Sequence, residues 1–244
     1  MIGLASNSFL PMRISIRRVV DLSHIIEPNI PRWTGDPTVE FEPVASLEGD
    51  GYYLRRFSLG EHSGTHINSP QSFYHDGASI EQYPAESLVK QAVVIDKRQE
   101  CVSNSDYLLL LSDVLAWEEE YGEIPVDSLV LLDTGWQSKW SNSAAFFNQD
   151  PTLGYHFPGF GSEATEFLLS QRKIAGVGID THGVDGGMDT TFAINRLVLA
   201  QPRIVLENLT NLDQLPPVGS LLVIGVMRLQ GGSGSPAGVL ALIP

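Results

Sequence analysis

Hydrophobic positions fall in short runs along this chain, and most of the runs predict β-strands. The strongest runs are rich in β-branched residues, which is typical of strands buried within a sheet. These buried strands are expected at residues 92–96, 128–133, 177–180 and 203–207. Weaker strand patterns occur at residues 18–24, 52–59, 220–226 and 239–243.

Three segments with a helical pattern lie between the strands, at residues 112–121, 163–171 and 191–200. Asp113 is favourable near the start of the first helix and Gly122 ends it, whereas Ser162 is predicted to cap the second. Strands mixed with a few helices predict one α/β domain with a mixed sheet. Residues 137–160 are predicted to be irregular, and loops of this length are often functional.

The 244 residues are predicted to form an N-terminal arm, residues 1–18, and a single domain, residues 19–244. The chain has 15 basic and 29 acidic residues and a net charge of −14. This charge argues against a nucleic acid or an anionic membrane as a partner. Neither a secretory signal nor a membrane-spanning run is recognisable, so a cytoplasmic protein is predicted. The single cysteine, Cys101, is interpreted as a plain thiol.

Residues 61–70 carry the most suggestive chemistry. His62 and His66 stand four positions apart with Gly64 between them, and Asn68 follows. Two imidazoles at this spacing can reach one metal ion, although two ordinary histidines would give the same pattern. Gly64 disfavours a helix, so both histidines are predicted to lie on a tight turn after the strand at residues 52–59.

Polar side chains also stand at the ends of several predicted strands. Asp133, Asp180 and Glu207 each end an apolar run, and His182 follows Asp180 in a glycine-rich stretch. Strand ends in α/β domains commonly converge on one cleft. The sequence therefore predicts that these residues lie near the two histidines.

Motifs in a fixed order resemble those of the cyclase family of metal-dependent hydrolases. Residues 62–70 resemble its signature, H-x-G-T-H-x-D-x-P-x-H. Other segments resemble its opening, its TGW, GIDT and ENL-x-NLD segments, and its terminal GSP turn; they are residues 21–24 with 33–37, 131–136, 178–181, 206–213 and 232–236. The match runs from Val20 nearly to the end of the chain. It implies a swivelling β/β/α fold and a homo-oligomer, a dimer or a tetramer.

The resemblance also implies a site for two metal ions. The family's signature histidines stand here as His62 and His66, and the glutamate of its ENL segment stands as Glu207. Two histidines and one carboxylate suit Zn²⁺ or Mn²⁺ with an open position for water. Asn68 or Gln71 is an expected additional oxygen ligand.

Three departures from the family pattern change this expectation. The bridging aspartate is Asn68, the second metal's histidine is Asn195, and the general acid/base histidine is Ser72. A neutral amide offers one carbonyl oxygen and cannot hold two dications together. One divalent metal ion is therefore predicted, and the second metal position is expected to be empty.

The proton carrier must then lie elsewhere in the chain. His75 lies three residues beyond the missing histidine, and His182 stands where the family usually has proline. Either side chain is a candidate general acid or base, each with an ordinary turn residue as the alternative. Glu61 is a weaker candidate. His24 is interpreted as structural.

Residue type and position suggest roles for four further side chains. His156 is interpreted as solvated, and Asp180 as a residue that holds a turn. Trp33 and Trp136 are candidates for an aromatic substrate pocket, although a tryptophan more often belongs to the core.

The sequence thus predicts a hydrolase that cleaves an amide or formamide C–N bond, as in an arylformamidase-like reaction, or a lactone. A metal-activated water would attack a small-molecule substrate. The alternative is a catalytically inactive relative that keeps the fold as a small-molecule binding or assembly module, which Asn68, Ser72 and Asn195 would explain.

Overall fold

The computed structural model describes residues 15–152 and 154–244, so most of the predicted N-terminal arm lies outside the described residues. The strands are β1 Arg18–Asp21, β2 Glu40–Ala45, β3 Leu54–Ser58, β4 His66–Asn68, β5 Val89–Asp96, β6 Leu108–Leu109, β7 Leu129–Asp133, β8 Gly159–Phe160, β9 Gly176–Ile179, β10 Ile204–Glu207, β11 Ser220–Val226 and β12 Gly234–Ile243. The helices are α1 Leu47–Asp50, α2 Arg98–Ser103, α3 Leu111–Tyr121, α4 Ser143–Phe147, α5 Ser162–Ser170 and α6 Ala193–Leu199.

Eight strands form one mixed sheet in the order β1-β12-β11-β5-β7-β9-β10-β4. The central strands β5, β7, β9 and β10 are parallel, and the flanking pairs are antiparallel. The short strand β4 bonds to β10 on one side and to β12 on the other, which closes the sheet into a barrel-like ring. The predicted α/β domain with a mixed sheet is confirmed.

Two apolar cores lie on opposite faces of this sheet, because successive strand residues point to opposite sides. Leu129 and Leu131 of β7 belong to one core, with residues of β4, β10, β11 and β12. Val130 and Leu132 belong to the other core, which α3, α5 and α6 cover. The predicted central strands are therefore buried on both faces.

Several local predictions need correction. His66 lies on β4 rather than on a turn, because main-chain pairing with β10 and β12 extends residues 66–68. Ser162 is the first residue of α5 and does not cap it, because Gly161 is the N-cap and its carbonyl already accepts from the N–H of Thr165.

The segment 137–160 is more ordered than predicted. It contains α4 and β8, and the Asn142 side chain caps α4 by accepting from the N–H of Ala145. Phe146 of α4 is fully buried with Trp136 and Phe157. Aromatic packing that pattern alone does not show therefore orders this stretch.

The hairpin of β2 and β3 stands apart from the main sheet and presents apolar side chains to solvent. Tyr53, Leu54 and Phe57 are exposed on or beside β3. A lone two-stranded hairpin is marginally stable in water. Within the described ranges, no helix combines the length and the hydrophobicity that crossing a membrane requires.

Candidate active site

A cavity of about 320 Å³ opens beside β4 and β10. Its lining brings together residues that the sequence singled out, namely His62, His66, Asn68, Gln71, Ser72, His182, Asn195 and Glu207. The predicted convergence is present for His62, His66, His182 and Glu207, whereas Asp133 and Asp180 do not line this cavity.

The turn before β4 aims the histidines at Glu207. Gly64 has φ +66°, a conformation that residues with side chains rarely adopt. Its carbonyl accepts from His66 Nδ1 and from Asn208 Nδ2, both at 2.9 Å. In the register of β4 with β10, His66 stands directly opposite Glu207. The strand pairing therefore fixes which side chains meet.

On the other edge of β4, Gly234 of β12 is paired with Asn68. A Cβ atom at Gly234 would lie 2.7 Å from Cε1 of His62. Glycine is therefore needed for β12 to pass this close to the imidazole.

Two asparagine amides surround the carboxylate of Glu207. Asn68 Nδ2 donates to Glu207 Oε2 at 3.0 Å and to Asn195 Oδ1 at 3.1 Å. Asn195 Nδ2 donates to Glu207 Oε1 at 3.0 Å and to Asp185 Oδ2 at 2.9 Å. The N–H of Val184 also donates to Glu207 Oε1. N–H groups of Asn68, Asn195 and Val184 thus approach both oxygens of Glu207.

His66 Nε2 faces Glu207. Its Nδ1 donates to the Gly64 carbonyl, which can only accept, so Nε2 either carries a second proton or presents a lone pair. That nitrogen lies 3.1 Å from Glu207 Oε2, which is an acceptor. Only a shared proton or another cation makes this contact favourable.

His62 shows the same arrangement with Asn68. The hydroxyl of Ser233 donates its one proton to Glu61 Oε2 at 2.6 Å, so His62 Nε2, 2.9 Å away, must donate to Ser233 Oγ. His62 Nδ1 then presents a lone pair to Asn68 Oδ1 at 2.8 Å. Burial lowers the pKa of His62, which disfavours a second proton on the ring.

Buried negative charge adds to this need for a cation. Burial acts to raise the pKa of Glu207, but hydrogen bonding and charge from His66 and a hydrogen bond from Asn195 bring it to about 2. Burial raises the pKa of Asp185 to about 6, against hydrogen bonds from Asn195 and Ile194. No lysine or arginine is present among the described residues that line the cavity. Buried carboxylates normally pair with cations or coordinate metals.

The donor set therefore fits one divalent cation. His62 Nδ1, His66 Nε2, Asn68 Oδ1 and Glu207 Oε2 are four potential ligand atoms that lie close together. Imidazole, amide and carboxylate ligands suit Zn²⁺ or Mn²⁺. Between residues 15 and 244, leaving out 153, no three His, Cys, Asp or Glu side chains already surround one point. To bind one ion, the pair of His62 and Asn68 would therefore have to move closer to the pair of His66 and Glu207.

His182 lies in the cavity wall and stacks flat on Trp33, with ring centroids 5.1 Å apart. Its Nδ1 is buried and lacks a well-formed hydrogen bond among the described residues. The nearby Asn208 side chain acts to raise the pKa of the ring. Burial lowers the pKa of His182 to about 4. The ring is therefore neutral and only weakly basic at physiological pH.

Aromatic side chains form the apolar walls, namely Trp33, Phe73, Phe157 and Phe192. Phe192 is notable because it has φ +56°, an unfavourable backbone conformation for a bulky residue. Its ring packs on Phe73 at 5.5 Å. Strained residues of this kind tend to occur at functional sites.

Two predicted residues lie away from the cavity. The side chain of His75 is 99% exposed, pairs only with its exposed neighbour Asp76, and does not line the cavity with His62. The assignment of His75 as a catalytic candidate is therefore corrected, because its turn points it into solvent. Trp136 is 3% exposed and belongs to the core, as its alternative interpretation allowed.

The remaining assignments concern residues outside the site. Asp180 is fully buried and holds a turn, and His24 stacks on Trp140. His156 is not simply solvated, because Asp106 and Asp150 bind its two ring nitrogens. Cys101 is a buried free thiol whose pKa burial raises to about 12, as expected of a thiol without nucleophilic activation.

Sequence reasoning did not single out three residues of this site, Asp185, Phe192 and Ser233. Asp185 stands in the same polar stretch as His182, and that context is a signal that could have identified it. Phe192 and Ser233 carry no local signal. Their positions depend on how α6 and β12 approach β4.

Comparison with known proteins places this site in a family. The "Cyclase" family model matches residues 20–186. The chain is 34% identical to an isatin hydrolase from Roseibium aggregatum, over 93% of this chain and 92% of that protein. It is 25% identical to a kynurenine formamidase from Erythrobacter litoralis, over 94% and 96%.

A solved structure shows the same relationship. The structure of isatin hydrolase A from Ralstonia solanacearum superposes with a TM-score of 0.87 at 34% identity, covering 93% of this chain and 92% of that one. The predicted family and the prediction of a hydrolase are confirmed. The closed mixed sheet, the two histidines at the start of β4 and these relationships together make the chain a member of the cyclase family.

Proposed function

We propose that this protein is a hydrolase that cleaves the C–N bond of a small aromatic amide, a cyclic amide or a formamide. A lactone, which has a carbonyl of the same shape, is the related ester substrate. The observation that carries the proposal is the buried contact between His66 Nε2 and Glu207 Oε2, 3.1 Å apart, in an aromatic-walled cavity. The relatives named above are hydrolases and formamidases of similar sequence.

One divalent ion, Zn²⁺ or Mn²⁺, would be held by His62, His66, Asn68 and Glu207. Such an ion supplies a polarised carbonyl and a bound water of lowered pKa. The protein's own contribution is to orient the ligands. Asn195 holds the carboxylate of Glu207, and the Gly64 carbonyl fixes the tautomer of His66.

A second ion has no support from the chemistry of this site. The position that would need a histidine lone pair is filled by the N–H groups of Asn195, which donate to Glu207 and Asp185. Donors on that side disfavour a cation there. This favours the single-metal form of the site.

We assign proton transfer to His182. It lines the cavity, its ring is neutral, and its buried Nδ1 lacks a well-formed hydrogen bond among the described residues, so a lone pair is available there. Its stacking on Trp33 would fix the ring plane during the reaction.

The walls define the class of substrate. Trp33, Phe157 and Phe192 would contact a planar aromatic group. Carboxylates of Asp36 and Asp189 also line the cavity, and no cationic side chain among the described lining residues balances them. The part of the substrate remote from the reacting carbonyl is therefore neutral or positively charged, and a carboxylate there is disfavoured.

An inactive binding module is the second candidate. The hydrogen-bonded set of Asn68, Asn195 and Glu207 is the observation that favours it, because Asn195 and Val184 satisfy Glu207 Oε1 without an ion.

In either form the exposed β2–β3 hairpin suits contact with a second copy of the chain, so the expected homo-oligomer stays a prediction.

Metal analysis and turnover of a His66→Ala variant test the proposal. Metal-loaded wild-type protein is expected to hold one ion per chain and to hydrolyse members of a panel of isatin-like amides, formamides and lactones. His66→Ala removes a ligand, so metal content and hydrolysis should both fall, hydrolysis by at least about 100-fold. His75→Ala is the matched control, since that histidine is exposed and remote from the cavity, and it should behave as wild type.

The two candidates predict different results. Hydrolysis that persists equally in His66→Ala contradicts the metal mechanism. Absence of turnover from metal-loaded wild-type protein on the whole panel, with ligand binding retained, supports the inactive module instead.

A further inference from the structure

We infer that Ser233 and Glu61 are positioning residues that orient His62 toward the metal, an inference that rests on the proposed metal site. The chain of contacts runs from Glu61 through the Ser233 hydroxyl to His62 Nε2. It joins the turn before β4 to the loop before β12, 171 residues apart. Neither Glu61 nor Ser233 is a proposed metal ligand.

The contacts define the direction of each hydrogen bond. Glu61 Oε2 accepts from the Ser233 hydroxyl at 2.6 Å and from the Ser233 N–H at 2.8 Å. A carboxylate only accepts, so the hydroxyl proton points to Glu61 and an oxygen lone pair faces His62. His62 Nε2 donates to that lone pair at 2.9 Å. The proton of the neutral ring is thus placed on Nε2. Nδ1 then carries no proton and lies 2.8 Å from Asn68 Oδ1.

The loop that carries Ser233 is itself held firmly. The carbonyl of Ser233 accepts from the hydroxyls of Ser69 and Ser72, at 2.8 and 2.6 Å, and from the N–H of Ser69 at 2.9 Å. The carbonyl of Gly232 accepts from the N–H of Ile80 at 3.0 Å. These bonds fix the serine hydroxyl relative to β4, and therefore relative to His62.

The arrangement has a defined chemical effect. A hydrogen bond to the far nitrogen of a ligand histidine fixes its tautomer and its orientation, and it makes the other nitrogen more basic. The negative charge of Glu61, passed on through the serine hydroxyl, strengthens that bond. Loss of such a partner typically weakens metal binding by about 10- to 100-fold.

Metal affinity is the first measurement, made by chelator competition with Zn²⁺ and with Mn²⁺ on full-length protein. We expect Ser233→Ala to weaken binding by about 10- to 100-fold. Glu61→Gln should weaken it less, because the amide oxygen still accepts from the hydroxyl. Ser233→Thr keeps the hydroxyl and should restore affinity. Ser103→Ala removes an exposed serine hydroxyl that donates to the carbonyl of Glu100 and does not line the cavity, so it serves as the matched control.

The tautomer of His62 is the second measurement, made by ¹⁵N NMR of metal-free protein, so it does not depend on turnover. Wild type should show the proton on Nε2, and Ser233→Ala should shift the ring toward the Nδ1–H form. If wild type binds neither metal, the proposed metal site fails, while this spectrum still decides the positioning role.

Two results would overturn the inference. One is wild-type metal affinity together with an unchanged His62 tautomer in Ser233→Ala. The other is a covalent acyl group on Ser233, seen by mass spectrometry during turnover, because it would make the serine a nucleophile rather than a positioning residue.

Discussion

Two buried carboxylates stand at the ends of neighbouring parallel strands, and their surroundings give them opposite properties. Asp180 follows β9 and accepts from the N–H and the hydroxyl of Thr134 and from the N–H of Gln137. Burial raises the pKa of Asp180 despite these bonds. Glu207 ends β10, and its pKa falls to about 2 although burial opposes this.

The difference lies in the kind of partner. Asp180 is bound by the segment that follows β7, mostly through main-chain N–H groups, which every sequence with this backbone supplies. Glu207 is bound mainly by side chains from β4 and α6, which single substitutions can exchange. A strand-end carboxylate held by the backbone therefore stabilises the fold, and one held by side chains beside a cavity is available for chemistry.

The matched pair Glu207→Gln and Asp180→Asn gives the largest expected effects and tests this contrast directly. Glu207→Gln keeps the shape but removes the charge, so hydrolysis should fall by at least about 100-fold while the fold persists. Asp180→Asn turns an amide donor toward main-chain donors, so the free energy of unfolding should fall by about 2–4 kcal/mol.

Urea unfolding and metal titration of both variants provide the measurements. Folded Asp180→Asn protein should bind the metal as wild type does. The contrast fails if Asp180→Asn loses metal affinity at unchanged stability, or if Glu207→Gln is destabilised more than Asp180→Asn.

The dependence of stability on pH gives the next largest effect, through Asp133 beside Asp180. Burial and the charge of Asp180 raise the pKa of Asp133 from 3.8 to about 7, although the N–H of Gly135 and the charge of Arg98 lower it. Between these values the unfolded chain has released a proton that the folded chain still holds. Raising the pH from about 4 to 7 should therefore lower stability by roughly 2–4 kcal/mol, a contribution fully present below pH 4.

Urea unfolding of wild type and Asp133→Asn across pH 4.5 to 8 checks this expectation. The wild-type curve should fall relative to that of the variant up to about pH 7 and then run parallel to it. Parallel curves over the whole range would show that Asp133 does not carry the effect.

Asp36 gives the smallest expected effect and extends the comparison to a carboxylate at the cavity surface. It lines the cavity beside Trp33, and its side chain has no hydrogen-bond or ion-pair partner within the part of the chain that the structure describes. Asp36→Asn should raise KM for a positively charged aromatic amide by about 3- to 10-fold and leave a neutral analogue unchanged.

A comparison of KM for the charged and the neutral substrate, in wild type and variant, measures this selectivity. Asp76→Asn removes an exposed charge outside the cavity and is the control. Equal changes for both substrates would contradict a role of the Asp36 charge in selectivity.

Much of the site could be predicted because its chemistry is local in sequence. The spacing of His62 and His66, with Gly64 between them, is visible in the chain itself. The buried strand that ends in Glu207 is equally clear, because an apolar run with a terminal carboxylate has few other interpretations. The assignment of His75 fails because proximity in sequence to Ser72, the position of the missing histidine, does not report which way a turn points.

The sequence by itself determined the family, the central strands and which side chains are candidates for the proposed metal site, because each is encoded by neighbouring residues and their order. Only the tertiary structure decided how those side chains share their protons. The register of β4 between β10 and β12 sets His66 opposite Glu207 and brings Ser233 to His62. Hydrogen bonds between residues more than 100 positions apart depend on strand pairing, and no local pattern records that pairing.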